Sequence, residues 1–199
     1  MNPLDKLIAY CQNIQNQFLH YYPVFIHWML FFWIIYIINN LLLKGRLNIL
    51  GILPRRKTGL IGIIFSPFLH GNFNHLFLNS LMLVILGFFV LILNPAYFYP
   101  ASAFIIIVEG LLTWAVGRPY LHIGASGLVM GYWGYLMVYA YKHPSNLAIV
   151  IIAICIYYFS AMFMNLFPKE EEVSWESHVF GFAAGIGAVF CIPLIISWL

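Results

Sequence analysis

Residues 75–93 read HLFLNSLMLVILGFFVLIL, nineteen consecutive positions without an Asp, Glu, Lys or Arg. At about 1.5 Å of rise per residue, a helix of that length crosses the roughly 30 Å of hydrocarbon in a bilayer. The chain around it has the same character. Of its 199 residues, 63% are apolar and 8% are charged, against about 25% charged in an ordinary soluble domain. So few charges cannot cover a water-facing surface. The sequence therefore predicts an all-α, polytopic membrane protein, because a helix satisfies its own backbone polar groups in lipid.

Working outward from residues 75–93, five more apolar runs predict six spans in all, the others covering about 24–43, 101–116, 124–141, 146–167 and 177–199. Residues 24–199 form one expected membrane domain, and residues 1–23 an N-terminal interfacial segment. That segment holds Asp5, Lys6 and His20 and no apolar core followed by a cleavage site, so the first span is expected to serve as an uncleaved targeting signal. A long loop follows the first span. It contains Lys44, Arg46, Pro54, Arg55, Arg56 and Lys57, then the apolar stretch Leu60–Phe68, which is too short to span and reads as interfacial or re-entrant. A second charged loop, with Lys169, Glu170, Glu171, Glu172 and Glu176, precedes the last span. Cys11, Cys155 and Cys191 are odd in number and scattered, and read as small hydrophobes rather than a disulfide or metal framework. The net charge of +3 is small and forms no basic stripe, so the expected partner is the lipid bilayer, with no nucleic acid and no cofactor. Charge counting puts the loop after the first span in the cytoplasm.

Polar residues inside a membrane are costly and tend to mark function. His75 opens the second span, Ser126 the fourth and His178 the sixth. Successive spans alternate in direction, so these three share one face at shallow depth. Ser126 lies in Gly124-Ala125-Ser126-Gly127, where the glycines permit a tight turn into a helix. Gly127, Gly131 and Gly134 read equally as a helix-packing face. His178 is followed on its own face by Gly181 and Gly185, so two glycine-lined helices can bring a hydroxyl to an imidazole base; a histidine anchoring a helix end is the plainer reading. His75 and Asn79, at i and i+4, present two donors on one face, as an oxyanion requires and as a packing pair also would. His70 stands where it can line the same pocket. Glu109, His27, Asn39 and Asn40 read as structural or interhelical contacts, His122 as a loop-positioning residue, and the six tryptophans as belts and packing.

Taken together, these residues resemble the rhomboid intramembrane serine proteases across about residues 65–190. The resemblance implies a six-transmembrane-helix bundle around a water-filled cavity, with Ser126 as nucleophile and His178 as general base. His75, Asn79 and the Ser126 N–H would hold the oxyanion, with His70, Gly124, Gly127, Gly181 and Gly185 in support. It implies transmembrane proteins as substrates, a bacterial inner membrane as location, and a cavity open to the non-cytoplasmic side, opposite to the charge count. Three positions depart from the family pattern: Ile61-Gly62 replaces a Trp-Arg pair, Met130 a tyrosine, and apolar Phe89–Leu93 lacks a glutamate. Two other classes fit less well: an inactive rhomboid-like binder of membrane clients, and a protein holding haem through His27, His75 and His178.

Overall fold

The computed structural model describes residues 2–160, 166–167 and 174–198. Among these residues the regular structure is helical, and extended segments meet only at an isolated bridge between Ile52 and His122. Helix α1 (Pro3–Ile37) opens with a capping box, in which the Asp5 N–H donates to the Asn2 side chain at 2.8 Å and the Asn2 N–H donates to the Asp5 carboxylate at 3.3 Å. That satisfies donors which a helix start leaves open. The boundary expected at residues 23–24 is no break in the helix, because Pro23 lies inside it. A proline removes one backbone bond, and away from water the helix remains the best arrangement for the others. At 35 residues, α1 is about 52 Å long and outruns the hydrocarbon.

The end of α1 widens into a π-turn, Ile38–Leu42, and buried Asn39 shapes the exit. Its Oδ1 accepts from the Leu47 N–H at 2.9 Å and its Nδ2 donates to Asn48 Oδ1 at 2.8 Å. The long loop then folds into short turns at Arg46–Leu50, Lys57–Leu60 and Ser66–Phe68, with the single-turn helix α2 (Gly62–Phe65) among them. Ile52 and His122 exchange backbone hydrogen bonds of 2.9 Å in both directions. Arg55 Nη1 donates to the Gly117 carbonyl at 2.8 Å, and Trp114 Nε1 to the Arg56 carbonyl at 2.9 Å. The loop is thereby tied to the segment that leads into the fourth expected span.

Helices α3 (Phe73–Leu93), α4 (Phe98–Val116), α5 (Ser126–Lys142), α6 (Asn146–Phe159) and α7 (Trp175–Ser197) follow. Among the described residues four helical stretches are long and apolar enough to cross a membrane: Leu4–Leu42, Phe73–Leu93, Pro95–Val116 and Trp175–Ser197. Helices α5, with 17 residues, and α6, with 14, are shorter. Helix α5 is rich in glycine and tyrosine because its neighbours, not lipid, surround it: Gly127 to Leu136 are buried without interruption. Residues 161–165 of the expected fifth span lie outside the described residues, as do Lys169, Glu170, Glu171 and Glu172 of the charged loop. The outer surface is apolar, with Leu30, Ile34, Ile149 and Ile156 all about half exposed, which suits lipid and not water.

Candidate active site

Helices α5 and α7 form the centre of the molecule, and glycine sets how closely they approach. A methyl group on Gly181 would overlap the Gly127 carbonyl, and one on Gly185 would overlap the Gly131 carbonyl. Both contacts ascend together, so the helices run parallel and start at one level. Ser126 is the first residue of α5, just ahead of Gly127, and His178 lies in the first turn of α7, one turn ahead of Gly181. Ser126 is half-buried and His178 buried.

The third wall comes from α3. Gly124 has φ of +119°, a conformation that side chains resist, and a Cβ there would meet the His75 ring at 2.5 Å and Asn79 Nδ2 at 3.5 Å. A glycine is needed for both reasons. The Gly124 N–H donates to the Ser66 carbonyl at 2.8 Å, which anchors the turn to the long loop. His75 thus borders the turn that leads into Ser126. Asn79 Nδ2 is buried without a hydrogen-bond partner among the described residues. A buried donor without a partner costs stability, and this one faces the turn that carries Gly124.

His70 packs edge-on against His75, with ring centroids 5.1 Å apart. Both of its ring nitrogens are buried without a well-aligned partner among the described residues, although the Phe68 carbonyl is near. Burial, reinforced by His75, pushes its pKa down to about 3 and keeps it neutral. His27, by contrast, is exposed on α1.

A family model described as Rhomboid domain matches residues 57–194. The chain belongs to the rhomboid family. It is thus an integral membrane protein of a family that includes intramembrane serine proteases. Uncharacterized proteins of Mycobacterium bovis and Mycobacterium tuberculosis are each 34% identical to this rhomboid over 157 residues, covering 74% of this chain and 65% of their own length. A Mycobacterium leprae protein, also described as uncharacterized, is 30% identical over 145 residues, 68% of this chain and 58% of its own. The chain thus spans between 58% and 65% of the length of these relatives. Where the family pattern has Trp-Arg, Gly62 here crosses Gly51 with no room for a methyl group, so a backbone crossing holds the loop. Met130 is fully buried in α5.

Sequence reasoning missed two polar clusters beside the site. Arg118 and Glu176 form a two-pronged ion pair, Nε–Oε1 at 2.5 Å and Nη2–Oε2 at 3.1 Å, which ties the turn before Ser126 to the start of α7. Tyr120 hydrogen-bonds Arg118 in the same cluster. A second chain enters the bundle. His122 Nδ1 contacts Ser174 Oγ at 2.5 Å, Ser174 Oγ lies 2.8 Å from Ser177 Oγ, Ser177 lies 3.3 Å from Thr113 Oγ1, and Thr113 donates to Glu109 Oε1 at 3.0 Å. The Glu109 carboxyl packs against Gly127, where an added Cβ would lie 2.8 Å from it. His122 Nε2 contacts the Arg118 carbonyl at 3.0 Å, and burial lowers the pKa of the ring. The spacing Glu109/Thr113 and Ser174/Ser177 does place each pair on one helix face, which is the only signal the sequence offers.

Proposed function

We propose that this rhomboid is an intramembrane serine endopeptidase that hydrolyses peptide bonds in or near the transmembrane segments of other membrane proteins. Its membrane domain, residues 24–199, would use α5 and α6 as fourth and fifth spans, with residues 1–23 at the interface. The mycobacterial relatives favour a bacterial inner membrane. The observation that carries the reading is the parallel glycine seam, because it starts the helices of Ser126 and His178 at one level beside His75 and Asn79.

In the proposed reaction Ser126 Oγ attacks the scissile carbonyl carbon while His178 takes the hydroxyl proton. His75, the Asn79 amide and the Ser126 N–H donate to the resulting oxyanion. When the intermediate collapses, the C–N bond breaks and His178 passes its proton to the leaving amine. An ester to Ser126 remains. Water, deprotonated by His178, hydrolyses that ester and restores the hydroxyl.

The test is cleavage of a single-span membrane protein by the full chain in vesicles. Ser126→Ala and His178→Ala should each abolish cleavage and leave the fold intact. Substantial cleavage by Ser126→Ala overturns the mechanism, and stable retention of clients without cleavage by the wild type would favour a client-binding protein.

A further inference from the structure

The long loop after α1 concentrates positive charge in a stretch of sequence that holds no acid. Five of the nine Lys and Arg residues fall between Lys44 and Lys57, while no acid occurs between Asp5 and Glu109. Arg55 is engaged with carbonyls at the end of α4. Lys44, Arg46, Arg56 and Lys57 are exposed, and no hydrogen bond or ion pair among the described residues engages their side chains. The loop that carries them is firmly held. It is bonded to His122 through Ile52, crossed at Gly51 and Gly62, and clamped to Trp114.

Beside Arg46 lies an open groove of about 900 Å³. Its wall is mostly apolar, with Ile49, Leu53 and Leu121 beside Asn48, Arg46 and Thr58. Arg46 lines it, Lys44 precedes the lining residue Gly45 in the chain, and Arg56 and Lys57 immediately precede the lining residue Thr58. Ile49 is 77% exposed, and Leu41 and Leu42, at the end of α1, are 73% and 72% exposed. An apolar face with cations immediately beyond the end of a spanning helix sits where acyl chains give way to phosphates.

We propose that this groove is a binding site for an anionic phospholipid, its phosphate held by Lys44, Arg46, Arg56 and Lys57 and its upper acyl carbons lying along Ile49, Leu53 and Leu121. Charge complementarity selects the headgroup, since basic residues at a membrane surface attract acidic lipids. The groove's apolar wall selects a lipid over a free phosphate. The site is independent of the proteolytic reading and touches none of its residues.

Native mass spectrometry of the purified full chain in detergent, titrated with phosphatidylglycerol or phosphatidylcholine, tests the site. The wild type should retain phosphatidylglycerol at least about 10-fold more tightly than phosphatidylcholine, at about 5-fold for each cation engaged. The variant Lys44→Gln/Arg46→Gln/Arg56→Gln/Lys57→Gln should lose the preference. Lys6→Gln/Lys142→Gln, with cations removed elsewhere, should keep it. Equal retention of both lipids, an unchanged preference in the fourfold variant, a matching loss in the control, or displacement of the lipid by millimolar glycerol phosphate would each overturn the proposal.

Discussion

Asn79 carries a buried amide donor without a partner among the described residues, so the proposed oxyanion role can be told apart from a structural one. Removing one oxyanion donor costs about 100-fold or more in turnover. Asn79→Ala should therefore lose activity on that scale, while its melting temperature stays near the wild-type value because no protein hydrogen bond from that donor is lost. An equal fall in both would mark a packing residue. His70 makes a pH statement. Its folded pKa of about 3 lies below the ordinary value of 6.5, so the unfolded chain takes up the proton first. Its contribution to stability is complete above about pH 6.5 and drains away as the pH falls toward 3. The full effect is on the order of 5 kcal/mol. His70→Phe should narrow the gap between melting temperatures at pH 7 and pH 4.5, and an unchanged gap would count against a buried neutral ring. The residues legible in the sequence were those whose partners sit on the same helix, such as His75 with Asn79. Arg118 with Glu176, and Thr113 with Ser177, meet between separate segments of the chain, and local spacing carries no trace of such pairs.

Between elements, the tightest constraint is the seam of α5 on α7. Gly185→Ala would push a methyl group into the Gly131 carbonyl, and such overpacking costs about 1–3 kcal/mol or more. Gly187, on the same helix, can take a Cβ in ordinary van der Waals contact, the nearest atom being 3.7 Å away on Phe104. Gly187→Ala should thus be neutral or gain up to about 1 kcal/mol of helix propensity. Thermal denaturation in detergent compares the two, and equal effects would contradict the seam. The four long spans were readable because lipid demands uninterrupted apolarity, which any window of sequence shows. The continuous α1 was not readable, since the apolar run marks only the expected span and the polar residues before it do not show that the helix extends back through them. The modest hydropathy of α5 likewise reflects neighbours that the sequence does not display.

At the scale of the whole molecule, the number of crossings decides which loops share a side. Six spans put Cys11 and the α5–α6 connection on one side and the loop after α1 on the other. In a background with Cys155 and Cys191 changed to alanine, a membrane-impermeant maleimide on sealed vesicles should therefore label Cys11 and His143→Cys from one side and Gly71→Cys from the opposite one. Labelling of His143→Cys together with Gly71→Cys would mean that α5 and α6 do not cross. The sequence could not orient the chain, because the basic loop that guides charge counting is also the loop built to meet lipid phosphates. The central claim concerns a single nucleophile, and an activity-based fluorophosphonate probe reads it directly. Mass mapping of the labelled full chain should find the probe on Ser126, with labelling lost in Ser126→Ala and in His178→Ala. Undiminished labelling of the Ser126→Ala protein would contradict the account.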